Sequence, residues 1–290
     1  MNVAIALPLR KACGIADYAR RVASSLPADW PIRWVDTAAC RSRRDWADAA
    51  RLAGESDVVH VHYEYTLFRH VSPLRNGYAA FMRALPVPAV VTLHDAFPVL
   101  DPPWARVLRE GPVSLLRHLA YLPVRGSWAD RQARRAARII AHTQAIADTA
   151  TRAIPASSVT CWPHPVWPCS RHWTPSADRP PILITPGFIK AHKGYADALD
   201  LLARHPDWHW WLAGGPQTDP DAAFLASLLN RARQLGIGDR LRVTGYLEKD
   251  DLEALAVQAQ LAFFPFRTVT GSGSVSWAIG LHLPIAATDL

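Results

Sequence analysis

The sequence contains little cysteine and no long apolar run. Its four cysteines (Cys13, Cys40, Cys161 and Cys169) include no Cys-x-x-Cys pair, which argues against a structural zinc module. In a chain of 290 residues they favour free thiols in a reducing compartment over a disulfide scaffold. No apolar stretch reaches the roughly 18 residues of a membrane-spanning helix. A secretory signal has a basic segment before its apolar stretch, and the apolar start of this chain has none. These absences predict a cytoplasmic protein.

Acidic residues are outnumbered by basic ones: 25 Asp and Glu stand against 32 Lys and Arg, a net charge of +7. The excess favours an anionic partner, such as a phosphorylated small molecule, an acidic lipid surface or nucleic acid. The arginines lack the interleaved aromatic residues of a nucleic-acid module, so we predict no nucleic-acid partner. Arg131, Arg134, Arg135 and Arg138 recur at helical spacing, one turn after Trp128. This pattern is typical either of a peripheral contact with an anionic membrane or of a solvated basic helix face.

Short apolar runs, such as those at 3–7 and 182–185, alternate with amphipathic helical patterns along the whole chain. Continuous apolar runs indicate strands buried on both faces, and their alternation with helices predicts parallel sheets covered by helices. A proline-rich stretch at 155–181 interrupts the alternation. We therefore predict an α/β fold of two domains, 1–172 and 173–290. The carboxyl ends of their strands would line a cleft between the domains.

Two glycine-containing loops are candidate phosphate sites. Gly14 opens a predicted helix, where free N–H groups and the helix dipole favour an anion; a simple turn glycine is the equal alternative. Gly271, Ser272, Gly273 and Ser274 lie between a strand and a helix. Their glycines permit a nest of N–H groups, and their serines add hydroxyl donors. A flexible loop is the competing interpretation, and the missing Gly-Lys-Ser/Thr sequence excludes a P-loop.

Two strand ends carry candidate catalytic side chains. Lys193 lies in a strand–helix loop, where its ammonium can stabilise a leaving diphosphate with support from Lys190; a solvated loop lysine is the alternative. His94 ends a predicted strand beside Asp95, which can orient the imidazole or hold it charged. His94 would then bond a sugar hydroxyl or a phosphate, unless it is only a polar strand end.

One His-x-His pattern resembles the spacing of metal ligands. His60 and His62 lie on one strand, and Glu64 follows them. The pattern lacks a further partner with suitable spacing, so we predict no metal site.

Several short motifs occur in an order that resembles the retaining, family-four glycosyltransferases of bacterial glycan biosynthesis. The match runs from the first predicted strand to the last. It comprises CGIADY at 13–18, DVVHVHYEY at 57–65, VTLHD at 91–95, PGFIKAHKGY at 186–195, AGGP at 213–216, TGYL at 244–247 and the segment from FPFR at 264–267 to PIAATD at 284–289.

The resemblance implies the GT-B fold, with a Rossmann-like acceptor domain followed by a Rossmann-like nucleotide-sugar domain. It implies metal-independent transfer of a hexose from a nucleotide diphosphate sugar, the donor substrate, with no cofactor. The acceptor would be a glycan or a lipid-linked molecule of polysaccharide biosynthesis, and the anomeric configuration would be retained. His94 would contact the transferred sugar, and Lys193 with Lys190 would neutralise the diphosphate. The donor-binding residues would be Gly14, Gly187, Gly215, Gly271, Ser272, Gly273 and Ser274.

The sequence departs from this family in three places. Phe188 replaces the arginine that usually follows the glycine matching Gly187, and Lys190 is its candidate substitute. The paired family glutamates are absent: Thr270, Gly271 and Ser272 occupy the first region, and Trp277 and Ala278 the second. Family members continue past the position of Leu290, so we expect the C-terminal end to be missing. Two alternatives therefore stay open, a non-catalytic glycosyltransferase-like binding module and a nucleotide-sugar epimerase on the same fold.

Overall fold

The computed structural model describes most of the chain. The described residues are 1–9, 13–64, 67–68, 70–72, 75–94, 111–113, 115–116, 119, 136–153, 158–176, 178–267, 269 and 271–289. The chain divides into two compact units, Met1–Pro163 (unit 1) and His164–Leu290 (unit 2). Residues 164–172, which the sequence-based boundary assigned to the first domain, belong to unit 2.

A six-stranded parallel sheet lies at the centre of unit 1. Its strands are β1 (Val3–Leu7), β2 (Ile32–Asp36), β3 (Val58–Tyr63), β6 (Ala89–Leu93), β7 (Ala136–Ala141) and β8 (Val159–Cys161), in the order β2-β1-β3-β6-β7-β8. A small antiparallel pair, β4 (His70–Ser72) and β5 (Arg75–Asn76), comes between β3 and β6 in the chain.

Helices cover both faces of this sheet. They are α1 (Gly14–Ser24), α2 (Arg43–Ala53), α3 (Gly77–Ala84) and α4 (Gln144–Ala153). Side chains alternate along a strand, and β1 accordingly contributes Val3, Ile5 and Leu7 to the cluster with α1 and Ala4 and Ala6 to the cluster of the other face. Burial on both sides explains why β1 is apolar throughout.

Unit 2 contains a second parallel sheet of five strands. They are β9 (Ile182–Pro186), β10 (His209–Ala213), β11 (Leu241–Val243), β12 (Leu261–Phe264) and β13 (Ile285–Ala287), in the order β11-β10-β9-β12-β13. Its helices are α5 (Tyr195–Arg204), α6 (Asp219–Gln234), α7 (Lys249–Ala256) and α8 (Gly273–Gly280).

The strand order of unit 2 reverses direction at β9. Strands β10 and β11 lie on one side of β9, and β12 and β13 lie on the other. Ligands of open α/β sheets bind outside the carboxyl ends of the strands at such a switch point. The loops that follow β9 and β12 are therefore the place where unit 2 is expected to bind a ligand.

The predicted α/β fold with two parallel sheets is confirmed. Two local predictions differ from the structure. The stretch after Pro155 contains β8, which pairs in parallel with β7, although its three residues show no periodic pattern. The helical spacing of Arg131, Arg134, Arg135 and Arg138 does not continue to Arg138 as one helix face, because β7 begins at Ala136 and Arg138 lies on this strand. Trp128, Arg131, Arg134 and Arg135 lie outside the described residues.

Candidate active site

The loops after β9 and β12 meet at the switch point of unit 2. Gly187 follows β9 with a φ of +107°, and its N–H donates to the carbonyl of Ala213 at 3.0 Å. Gly194 ends the same loop with a φ of +72°, and a Cβ on it would lie 1.7 Å from the carbonyl oxygen of Pro265. Only glycine fits a left-handed position at such close range. Gly194 therefore holds the loop after β9 directly against the loop after β12, and Gly187 ties the start of that loop to the end of β10.

Lys193 lies at the end of a 3-10 turn, Ala191–Lys193, within this loop. Its ammonium nitrogen lies 5.6 Å from the ring centroid of Phe266 and 3.4 Å from the point where a Cβ on Gly187 would stand. Burial and the positive charge of Lys190 lower the pKa of Lys193 to about 8. Among the described residues no carboxylate forms an ion pair with Lys193. An anion bound there would supply the missing counter-charge.

The predicted glycine and serine loop forms the start of α8. Ser272 is the N-cap residue, and its hydroxyl oxygen accepts a hydrogen bond from the N–H of Val275 at 3.2 Å. The next residues, Gly273 and Ser274, begin the helix, where the first N–H groups have no partner within the helix. The hydroxyl oxygen of Ser274 lies 2.9 Å from the Cβ position of Gly187. The start of α8 therefore faces the loop that carries Lys193.

These contacts bring most of the predicted unit 2 residues into one place. The ammonium of Lys193, the hydroxyl of Ser274 and the amino end of α8 converge beside Gly187, which has no side chain to fill the space. A positively charged side chain, a hydroxyl donor and a helix N-terminus form a typical anion site. Lys190 lies close enough to affect the charge of Lys193, and Gly271 directly precedes the cap.

Gly215 lies at a different position in this region. It follows β10, and its carbonyl accepts a hydrogen bond from the N–H of Ile189 at 3.0 Å. A Cβ on Gly215 would be in ordinary contact with Gly245, at 3.6 Å. Gly215 thus supports the backbone of the loop after β9.

The remaining two predicted residues, Gly14 and His94, belong to unit 1. Gly14 is the first residue of α1, and Cys13 before it forms no side-chain cap. A Cβ on Gly14 would meet no atom within 4 Å. His94 follows β6, and its N–H donates to the carbonyl of Tyr63 at 2.9 Å. Tyr18, one turn after Gly14, packs edge-on against the His94 ring at 4.9 Å between centroids.

His94 is part of a histidine cluster that the sequence did not predict. Nδ1 of His62 lies 3.1 Å from Nε2 of His94, and Nε2 of His60 lies 2.7 Å from the hydroxyl of Thr92. His142, after β7, bonds the carbonyl of Trp162 through Nδ1 at 2.9 Å. These histidines lie on neighbouring parallel strands, and the signal that could have revealed the cluster is their common position at the carboxyl ends of those strands.

Burial disfavours the charged forms of His60, His62 and His142. It lowers the pKa of His60 to about 4, with a smaller contribution from His142. Burial also lowers the pKa of the fully buried His62 well below the ordinary value, and it lowers the pKa of His142. In the part of the chain that the structure describes, no group of three or more His, Cys, Asp or Glu is arranged to hold a metal ion.

His164 is a further neighbour of the unit 2 site that the sequence did not predict. A Cβ on Gly273 would lie 3.7 Å from Nε2 of His164. His164 comes from the proline-rich segment, where no pattern marked it. Trp277, at the second region of the missing glutamates, packs partly buried against the core of unit 2, and Thr270 of the first region lies outside the described residues.

Comparison with models of known protein families identifies the family of this chain. The model of Glycosyltransferase Family 4 matches residues 8–168, which is more than half of the chain. The chain belongs to glycosyltransferase family 4. A second model, Glycosyl transferases group 1, matches residues 171–284 of this glycosyltransferase. No curated protein matches its sequence.

Solved structures support the GT-B fold of this glycosyltransferase. Sucrose-phosphate synthase from Thermosynechococcus elongatus is 14% identical with a TM-score of 0.68, over 99% of this chain and 81% of that one. HepE of Anabaena in complex with UDP-glucose is 15% identical with a TM-score of 0.67, over 99% and 80%. The UDP-forming trehalose-phosphate synthase of Burkholderia xenovorans in complex with glucose-6-phosphate is 12% identical with a TM-score of 0.62, over 99% and 84%. At these identities the likeness concerns the fold alone.

No helix within the described ranges combines the length and the apolar character needed to span a bilayer.

Proposed function

We propose that this glycosyltransferase moves a hexose from a nucleoside diphosphate sugar to a glycan or lipid-linked acceptor, with retention at the anomeric carbon. The observation that carries the proposal is the convergence of Lys193 and Ser274 beside Gly187, at the switch point of the unit 2 sheet. A diphosphate suits this place because its negative charge would pair with the ammonium of Lys193, which has no carboxylate partner among the described residues. Retention rests on the likeness to the retaining family-four enzymes.

Two groups would stabilise the leaving diphosphate. In the transfer, a hydroxyl oxygen of the acceptor forms a bond to the anomeric carbon while the bond from that carbon to the diphosphate oxygen breaks. The electron pair of the broken bond stays on the diphosphate, which takes up the proton of the acceptor hydroxyl. The ammonium of Lys193 and the N–H groups at the start of α8 stabilise the resulting charge, and they are already in place before the reaction. Lys190 adds positive charge next to Lys193 in place of the usual arginine. His94 of unit 1 would hold a hydroxyl of the transferred sugar.

The bound ligands of structurally similar proteins suggest which donors to test first. HepE of Anabaena was solved with UDP and with UDP-glucose. UDP-glucose is therefore the first donor to test, and UDP-galactose and GDP-mannose extend the series to another sugar and another base.

The missing glutamates favour one alternative, a module that binds a nucleotide sugar without transferring it. By the resemblance, Trp277 and Ala278 occupy the region of the family glutamate that holds the ribose, and both side chains pack in the core of unit 2. Calorimetric binding of UDP without turnover would support such a module. Conversion of the free nucleotide sugar without an acceptor would instead support an epimerase.

The decisive experiment measures release of the nucleoside diphosphate from each donor in the presence of glycan acceptors. Lys193→Ala should lower kcat by about a hundredfold or more, as the loss of one stabilising group for a developing charge does elsewhere. EDTA should leave turnover unchanged, because we propose that protein groups supply the positive charge. NMR of the product reports the anomeric configuration.

Arg204→Ala is the matched control for the loss of one positive charge. Arg204 is exposed at the end of α5 in the same unit, so its variant should keep wild-type turnover. A Lys193→Ala protein as active as the Arg204→Ala protein would refute the role of Lys193.

A further inference from the structure

The side chain of His62 is buried completely and has one hydrogen-bonding partner. Its relative exposure is 0%, and its Nδ1 lies 3.1 Å from Nε2 of His94. The other nitrogen, Nε2 of His62, is buried and has no hydrogen-bond partner among the described residues. Tyr18 packs edge-on against His62 and also against His94, with centroid distances of 5.5 and 4.9 Å.

This arrangement selects one tautomer for each ring. A buried N–H without an acceptor is rarer and costlier than a buried acceptor without a donor. The proton of neutral His62 therefore belongs on Nδ1, which donates to Nε2 of His94, and the unpartnered Nε2 of His62 carries the lone pair. Since Nε2 of neutral His94 accepts this bond, the proton of His94 is on its Nδ1. In each ring, the hydrogen bond made by one nitrogen thus determines whether the other nitrogen carries the proton.

We infer that His62 is a positioning residue, which holds His94 in the Nδ1–H tautomer and fixes its ring for contact with the transferred sugar. The contact with the sugar rests on the proposed function, whereas the tautomer does not. His94 then offers a hydrogen-bond donor at Nδ1. Free imidazole side chains in water favour the opposite tautomer, with the proton on Nε2, so the state of His94 reports directly on His62.

The test is a nitrogen-15 NMR measurement of histidine tautomers in the full chain labelled with 15N-histidine. The spectrum of a His94→Asn protein identifies the His94 signals by their loss. Wild-type His94 should show a protonated Nδ1 and a bare Nε2. His62→Leu should move His94 toward the Nε2–H tautomer. His62→Asn should keep the Nδ1–H tautomer, because the asparagine amide can donate from nearly the same place as Nδ1 of histidine.

His60→Leu is the matched control. His60 lies on the same strand, but its Nε2 bonds the hydroxyl of Thr92. Its replacement removes a neighbouring imidazole without removing the donor to His94. The tautomer of His94 should therefore stay as in the wild type.

Turnover gives a second readout. His62→Leu should lower kcat by about ten- to a hundredfold, the range known for partners that orient metal-bound histidines, and the KM for the donor should change less. His62→Asn should restore most of the rate, which a purely packing role of His62 would not explain.

The outcomes separate this inference from the proposed function. A wild-type His94 with the proton on Nε2, or a His62→Leu protein with an unchanged His94 tautomer, would overturn the positioning role and leave the transferase proposal intact. A protein without any transfer activity but with the expected tautomers would overturn the transferase proposal and the contact with sugar, while the control of His94 by His62 would stand. If His62→Leu does not fold, the wild-type spectrum alone still decides the tautomer.

Discussion

Lysine is rare in this chain, and two of its lysines occupy one loop. Lys11, Lys190, Lys193 and Lys249 are the only lysines in the sequence. Lys190 and Lys193 share the loop after β9, and burial together with the charge of Lys190 lowers the pKa of Lys193 to about 8. The protonated form of Lys193 in the free protein is therefore less stable than that of an ordinary lysine. A bound diphosphate reverses this effect, so binding and protonation of Lys193 are coupled.

The affinity for UDP-glucose should therefore depend on pH. Below pH 8 Lys193 is already charged, and the affinity should be nearly constant. Above its pKa of about 8 the free lysine is neutral, so binding must take up a proton, and the Kd should rise by up to about tenfold for each pH unit. The diphosphate of UDP-glucose does not titrate in this range. Calorimetric titration between about pH 7 and 9.5 measures the effect.

Lys193→Arg is the informative variant for this pH dependence. Arginine stays protonated throughout the range, so the affinity should become independent of pH even if it is weaker. A wild-type protein with equal affinity at both ends of the range would contradict the coupling.

At the scale of elements, a buried carboxylate on α7 fixes the start of unit 2. Glu253 has a relative exposure of 0%. Its Oε2 accepts hydrogen bonds from the N–H and hydroxyl of Ser170 and from the N–H of Arg171. Helix α8 also contacts this segment: a Cβ on its Gly280 would lie only 2.4 Å from the carbonyl oxygen of Trp167, so the backbone of Trp167 packs directly on the helix. These contacts explain why residues 164–172 belong to unit 2.

Replacement of Glu253 should destabilise this segment. Glu253→Leu leaves buried donors without an acceptor, and we expect the free energy of unfolding to fall by about 2–3 kcal/mol. Glu253→Gln keeps one oxygen acceptor and should cost about 1 kcal/mol. Urea unfolding followed by circular dichroism measures both.

The control for the charge of Glu253 is Lys249→Ala. The ammonium of Lys249 lies 3.6 Å from Oε1 of Glu253, but the lysine side chain is 48% exposed. Such exposed pairs contribute little, about 0–1 kcal/mol. Equal losses in Lys249→Ala and Glu253→Leu would show that the ion pair, rather than the backbone hydrogen bonds, is what matters.

At the scale of the whole molecule, the two units differ in the histidines they bury. Of the described residues, His62 and His142 are the only histidines with less than a tenth of their surface exposed, and both lie in unit 1, as does the partly buried His60. The pKa of His60 is about 4, against 6.5 for the ordinary side chain. Between these values the unfolded chain binds more protons than the folded one. The stability of unit 1 must therefore fall as the pH is lowered through this interval.

We predict that unit 1 loses stability in acid before unit 2. At about pH 5, His60 alone should lower the free energy of unfolding by about 2 kcal/mol relative to neutral pH, and His62 acts in the same direction. Urea unfolding at about pH 7 and pH 5, followed by tryptophan fluorescence, should show one transition that moves to lower urea.

His60→Leu should reduce the movement of that transition, because it removes one proton-binding group. The transition of unit 2 should be unaffected by the variant. If both transitions move equally with pH in the variant and the wild type, the buried histidines do not control the acid stability.

The sequence predicted those parts of the candidate site that lie within one loop. Lys190 and Lys193 could be predicted because the loop between a strand and a helix places its residues close together. Two roles could not be predicted. The serine at 272 caps α8, which depends on where the helix begins. The bond from His62 to His94 joins residues on neighbouring strands, which depends on strand order and register.

The alternation of apolar runs and amphipathic patterns by itself determined two parallel α/β halves, because a strand buried on both faces must be apolar along its length. Loop composition likewise located the glycines and lysines at strand ends. Only the tertiary structure decided that the loops after β9 and β12 meet, that β8 extends the first sheet, and that residues 164–172 pack on α7. These features depend on contacts between residues far apart in the chain, and a local sequence pattern does not specify such contacts.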